Sequence, residues 1–124
     1  MNLVDTSGWL AYFFDDTNAS YFAEPIENTA ELLVPTVCLY EVFKKINLVA
    51  DEAHALQAIA QMRRGRVIEL SEDIALSSAF VSIRHKLPMA DSMIYATAKS
   101  HNATVWTQDA DFKNLPKVNF RKAK

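Results

Sequence analysis

The sequence predicts an α/β fold, a three-layer α/β/α sandwich around a central, mostly parallel sheet, in a single domain over residues 1–124. Three observations predict it. Short apolar, β-branched runs alternate with longer segments of helical periodicity, the pattern of parallel strands joined by helical crossovers. The 124 residues suffice for one core and leave no room for a second. Half the residues are hydrophobic and 23% are charged, an ordinary globular balance, and no repeat, low-complexity stretch or Pro/Gly/Ser-rich linker interrupts them.

The elements follow in order. Asn2–Val4 is an apolar run ending in Asp5 and reads as a buried strand. Thr6 or Ser7 is placed to cap a helix through Trp9, Leu10, Phe13 and Phe14. A short helix covers Ser20–Ile26. Glu31–Val34 is a strand halted by Pro35. Thr36 caps a third helix, in which Val37, Tyr40, Phe43 and Ile46 recur at helical spacing. Asp51 starts another, with Ala55, Ile59 and Met62 on one side. Arg66–Leu70 alternates as a strand does, and Ser71 caps Ile74–Lys86. Pro88 suits the first turn of a helix reaching His101. Ala103–Thr107 is a strand and Val118–Phe120 a final edge strand. The aromatic run Tyr12–Phe14, with Tyr21 and Phe22, exceeds what one amphipathic face buries, so part of it is expected to be exposed for association.

Several functions are excluded. Gly8 and Gly65 are the only glycines, and two so far apart make neither a dinucleotide fingerprint nor a Walker loop. Cys38 stands alone, which rules out an internal disulfide or a CxxC zinc pair and suits a reducing, cytoplasmic setting. His54, His85 and His101 show no ligand spacing. The opening residues carry an acid where a secretion signal is positive. No apolar run approaches the ~18 residues of a membrane span. Net charge is −2, from 13 Lys and Arg against 15 Asp and Glu, which argues against polyanion binding unless several acids share one site.

Such a site is visible in the pattern. In open parallel sheets ligands bind beyond the carboxyl ends of the strands. Asp5 ends the first strand, while Asp109 and Asp111 follow Val105-Trp106-Thr107. Asp91 opens a helix, and Glu41 lies among Leu39, Tyr40, Val42 and Phe43. Each has an ordinary structural alternative. Glu41 would pair with Lys45 one turn on, Asp91 would complement a helix N-terminus, Asp109 and Asp111 would serve a turn, and Asp5 would cap a helix. Asp5 after a buried strand and Glu41 among apolar neighbours fit those roles poorly, because desolvated carboxylates repel one another. A divalent cation reverses that repulsion, and an all-carboxylate set suits Mg²⁺ or Mn²⁺.

The chain resembles the PIN-domain ribonucleases, specifically the VapC-type toxins of toxin–antitoxin pairs. The likeness rests on Leu3-Val4-Asp5-Thr6-Ser7 with Trp9, on Glu41-Val42, on Leu87-Pro88-Met89-Ala90-Asp91-Ser92-Met93-Ile94, and on Thr107-Gln108-Asp109-Ala110-Asp111-Phe112. The resemblance implies a PIN-like fold over nearly the whole chain. It matches Asp5, Glu41, Asp91 and Asp109 to a metal-binding and catalytic quartet, Asp111 to an accessory acid, and Thr6 and Thr107 to supporting hydroxyls. It further implies metal-dependent endonucleolytic cleavage of RNA leaving a 5′-phosphate, a homodimer, and a cognate antitoxin whose tail blocks the cleft. Gly8 departs from the family, which more often carries a larger residue there.

Phosphodiester hydrolysis needs an activated water and a stabilised leaving oxygen. Asp5 and Asp91 are expected to hold the principal ion. Glu41 and Asp109 would bind through water, hold a second ion or orient the nucleophile. With the five acids set aside, 10 acids face 13 bases. Lys44, Lys45, Arg84 and Lys113 then become candidates for an RNA path. Two rivals are weaker. A phosphoacceptor receiver domain needs an acidic pair after the first strand, an Asp after a central strand and a closing Lys, whereas Asp5 stands alone and Arg66–Leu70 runs into Ser71. A catalytically inactive PIN-like interaction module would have lost one of the four acids, and all four positions are filled.

Overall fold

Apolar strands that alternate with helices must be covered on both faces, and the computed structural model, which describes Met1–Lys124, shows that covering. Leu3 and Val4 of β1 (Asn2–Val4) are both fully buried although they point to opposite sides of the sheet. All four residues of β2 (Leu32–Pro35) are buried as well. The sheet is completed by β3 (Arg66–Ile68), β4 (Thr104–Thr107) and β5 (Val118–Phe120), in the order β3-β2-β1-β4-β5. Every pairing is parallel, with Leu3 opposite Leu33 on one side and Val105 on the other.

Six helices make the crossovers: α1 (Thr6–Phe13), α2 (Ala19–Glu27), α3 (Thr36–Val49), α4 (Glu52–Met62), α5 (Glu72–His85) and α6 (Met89–Ser100). The first two crossovers move outward from β1 to β2 to β3, and the third returns past both to β4. Right-handed connections therefore put α5 and α6 on the face opposite α1–α4, which gives the three layers. Strand order reverses at β1 and β4, so the crevice beyond their carboxyl ends is where this architecture binds ligands. A cluster of 25 buried apolar residues fills the two interlayer spaces.

Several local expectations need correction. Asp5, not Thr6 or Ser7, caps α1, and its side chain accepts from Gly8 N at 2.9 Å. Pro35 does not halt β2 but ends it in register with Ile68, and it occupies the cap position of α3 without a side-chain bond, so Thr36 is simply the first helical residue. Pro lacks only an N–H that this ladder position leaves unused. β3 stops at Ile68, two residues early. The caps at Asp51 and Ser71 form as expected, accepting from His54 N at 2.8 Å and Ile74 N at 3.1 Å. Between α5 and α6, Lys86 adopts a left-handed conformation at φ 56°, and Ser82 donates to the Leu87 carbonyl at 2.8 Å. That tight turn sets the start of α6, and with it Asp91.

The aromatic run is mostly absorbed by the core. Phe22 and Trp9 are fully buried, Trp9 stacks on Phe13 at 5.6 Å, and only Phe14 stands substantially in solvent. The longest exposed apolar stripe lies instead on α5, where Leu76, Phe80 and Ile83 recur at i, i+4 and i+7. Gly8 has a specific cause. A Cβ there would lie 2.6 Å from Val4 Cγ1 and 2.8 Å from two ring carbons of Phe22, so the Phe22 ring occupies the space a larger residue would need.

Candidate metal centre

Asp5 sits where β1 turns into α1, and the strand–helix junction dictates its surroundings. It is 2% exposed, and every polar contact it makes is to a donor. Oδ1 accepts from Gly8 N at 2.9 Å and Ser7 Oγ at 2.8 Å, and Oδ2 accepts from Thr107 Oγ1 at 2.7 Å and Ser7 Oγ at 3.0 Å. Burial pushes its pKa up from 3.8 to about 6, against the lowering effect of those bonds.

Thr107 ends β4 and faces Asp5 because the two strands are neighbours in register. Its hydroxyl accepts from Asp109 N at 2.8 Å, and its one proton goes to Asp5. Ser7 likewise accepts from Gln108 N at 3.2 Å while donating to Asp5. With both protons committed, the 3.4 Å approach of Ser7 Oγ to Thr107 Oγ1 is a packing contact. The carboxyl end of β4 is thus fastened to β1 by two hydroxyls.

The Thr6 hydroxyl is not among the donors to Asp5. It donates to Glu41 Oε1 at 2.5 Å, joining the start of α1 to the middle of α3. Glu41 therefore has a hydroxyl partner, and the alternative pairing with Lys45 does not occur, since the ion pairs present are Met1–Glu31 and His54–Asp51. Cys38, one turn before Glu41, is fully buried with its thiol against the Val4 carbonyl, and burial keeps that thiol neutral.

Asp91, Asp109 and Asp111 form a group, each offering a carboxylate oxygen within 4.8 Å of the others. Asp109 and Asp111 belong to one short loop, in which Asp109 Oδ1 accepts from Asp111 N at 2.9 Å before the 3-10 turn Ala110–Phe112. Phe112, fully buried, pins that turn to the core. Asp91 is pushed up from 3.8 to about 7, first by burial and then by the charges of Asp109, Asp5, Asp111 and Glu41. All five predicted acids therefore act on one point. Asp91, Asp109 and Asp111 form the one group of three within that span, and Asp5, which acts on Asp91 through its charge, is held by its own donors beside them.

The trio's chemistry fits a hard cation. Its donors are carboxylate oxygens alone, and no Lys or Arg forms an ion pair with any of the five acids. Lys44, Lys45 and Lys113 are exposed, with the Lys44 amine 5.8 Å from the Tyr40 ring and Lys113 5.8 Å from Phe120. Arg84 lines a cavity between α5 and α6 beside Lys99 and Ser100, about 12 Å of helix rise beyond Asp91.

Three residues around this centre escaped the sequence reading: Ser7, read only as a cap, and, outside the set of acids, Gln108 and Asn18, whose side chains bond each other at 3.1 Å. Ser7 carried a usable signal, since a hydroxyl two residues after an N-cap Asp is within reach of its carboxylate. Asn18 and Gln108 carried none, being 90 residues apart.

Comparison with known proteins places this geometry. A family model described as PIN domain matches residues 3–118. No curated protein matches the chain in sequence. Solved structures do match it. A toxin-antitoxin complex from Klebsiella pneumoniae shares 24% identity over 96% of each chain at TM-score 0.81. Mycobacterium tuberculosis VapC20, described as a sarcin-ricin loop cleaving toxin, shares 18% over 95% of this chain and 97% of its own, at 0.80. VapBC2 from Rickettsia felis, bound to a promoter DNA fragment, shares 13% over 99% and 98%, at 0.75. At these identities the likeness establishes the fold.

Proposed function

Because the chain belongs to the PIN domain family, we propose that it is a divalent-metal-dependent endoribonuclease and the toxin of a type II toxin–antitoxin pair. The observation that carries this reading is the meeting of five carboxylates at the β1–β4 switch point, three of them within 4.8 Å, with only hydroxyl and backbone N–H groups as hydrogen-bond partners. The described activities and assemblies of the similar toxins support extending it to RNA and to an antitoxin partner.

Asp91, Asp109 and Asp111 would hold Mg²⁺ or Mn²⁺, with Asp5 and Glu41 lining the same cleft. When bound, such an ion supplies an acidified water and positive charge against the oxygens of the scissile phosphate. Three protons reach Asp5, from Gly8, Ser7 and Thr107, against about four lone-pair sites, which leaves room for one further bond. Thr6 holds one oxygen of Glu41 and leaves the other to orient the attacking water. Lys44, Lys45, Arg84 and Lys113 would contact RNA phosphates, and no carboxylate pairs with them. No helix is long and apolar enough to cross a membrane.

Two copies would pair through the apolar stripe of α5. In an antiparallel, two-fold crossing centred near Phe80, Leu76 of one copy would meet Ile83 of the other, so the stripe is self-complementary.

The test is cleavage of RNA by the purified chain. Cleavage should require Mg²⁺ or Mn²⁺, stop on chelation, and fall roughly 100-fold or more in Asp91→Asn. Undiminished cleavage by that variant would overturn the reading. In cells, the same substitution should relieve growth arrest on expression.

A further inference from the structure

Asn18 stands just before α2, where an Asn ordinarily caps a helix, yet its side chain makes no cap bond. It is buried, at 5% exposure, and its amide nitrogen reaches across the fold. One bond goes to Gln108 Oε1 at 3.1 Å and the other to the Lys122 carbonyl at 3.1 Å. Its own carbonyl accepts from Tyr21 N and Phe22 N, so α2 holds it from behind.

Gln108 lies between Thr107, which binds Asp5, and Asp109, which belongs to the acidic trio. Along an extended chain successive side chains alternate. Thr107 and Asp109 therefore turn towards the acids and Gln108 turns away, to Asn18. The loop also carries two carboxylates that Asp91 repels. Without a cation that repulsion pushes against Asp109 and Asp111, and the Gln108 side chain adds a tether on the loop's far side to the anchors at Ser7, Thr107 and Phe112.

We propose that Asn18 is a positioning residue of the metal centre, acting through Gln108 to hold Asp109 and Asp111 at ligating distance from Asp91 before any ion arrives. The inference rests on the metal-dependent reading above. Partners that orient ligands without touching the ion typically change affinity by 10–100-fold. Removing this tether should weaken cation binding while leaving the chemistry at saturating metal nearly intact.

The experiment is Mn²⁺ titration by calorimetry on the full chain, its Asn18→Ala and Gln108→Ala variants and the double variant, with melting curves of each without metal. Either single substitution should weaken Mn²⁺ binding about 10-fold, and the double variant should be no weaker than the worse single, because both cut one tether. Cleavage at saturating Mn²⁺ should stay within about 3-fold of the parent, placing the effect on metal affinity rather than turnover. Unchanged Mn²⁺ affinity in Gln108→Ala, or losses that add in the double variant, would overturn the proposal. Gln108 is only half-buried and carries the test if Asn18→Ala does not fold. A parent chain that binds no Mn²⁺ would instead refute the metal reading itself.

Discussion

Asp5 and Asp91 are carboxylates held partly out of water near other carboxylates, and both have pKa values raised above 3.8, to about 6 and about 7. A raised carboxyl keeps its proton more tightly in the folded chain than in the unfolded one. Its effect on stability is therefore nil below about pH 4, grows unfavourable as the pH climbs towards 7, and is constant above that. Asp91→Asn removes the penalty at Asp91. Without metal, that variant should melt above the parent at pH 8, by about 1–2 kcal/mol once solvent screening of this half-exposed group is allowed for, with a smaller gap at pH 5. Saturating Mg²⁺ should raise the parent's melting temperature at pH 8 and leave the variant's nearly unchanged. Equal melting of the two proteins at both pH values would show that the acids are not crowded as described. The identity of these acids was readable because motif spacing and apolar surroundings both marked them. Which two hydroxyls serve Asp5 was not, since Thr6, Ser7 and Thr107 are chemically alike and only backbone direction decides that Thr6 turns to Glu41.

Elements follow from pattern more surely than their ends do. α3 was legible from its period, α4 and α5 also from their caps at Asp51 and Ser71, and α6 from the proline at its start, while β5 was placed residue for residue. The misplacements fall at Asp5, Pro35 and Ile68, where a cap, a ring without an N–H and a short edge strand respond to neighbours distant in sequence. Gly8 shows the same dependence. A Cβ there would strike Val4, four residues back in the chain, and equally the ring of Phe22 on α2, which the sequence around Gly8 does not disclose. Gly8→Ala should cost about 1–3 kcal/mol through overpacking against Val4 and Phe22. Measured by denaturant unfolding, its cost should shrink when Phe22→Leu is added, because the two sites share one space. Purely additive losses would mean that the ring is not the obstacle.

At the scale of the molecule, Leu76, Phe80 and Ile83 on α5 stand 61%, 74% and 77% exposed, more than isolated surface apolar groups require. Phe80→Glu should shift the protein from dimer to monomer in sedimentation at micromolar concentration and remove the dependence of its melting temperature on protein concentration, while the fold is kept because Phe80 contributes little to the core. A parent that already sediments as a monomer would remove the pairing. The order of the strands has a separate result. β4 inserts beside β1 only after two outer strands have been laid down, and it brings Thr107, Asp109 and Asp111 with it. During synthesis, a nascent chain that has emerged as far as Asp91 still lacks two of the five clustered acids, Asp109 and Asp111. A translation product ending before β4 would therefore lack Thr107, Asp109 and Asp111, and the acidic cluster would be completed only with the last fifth of the polypeptide.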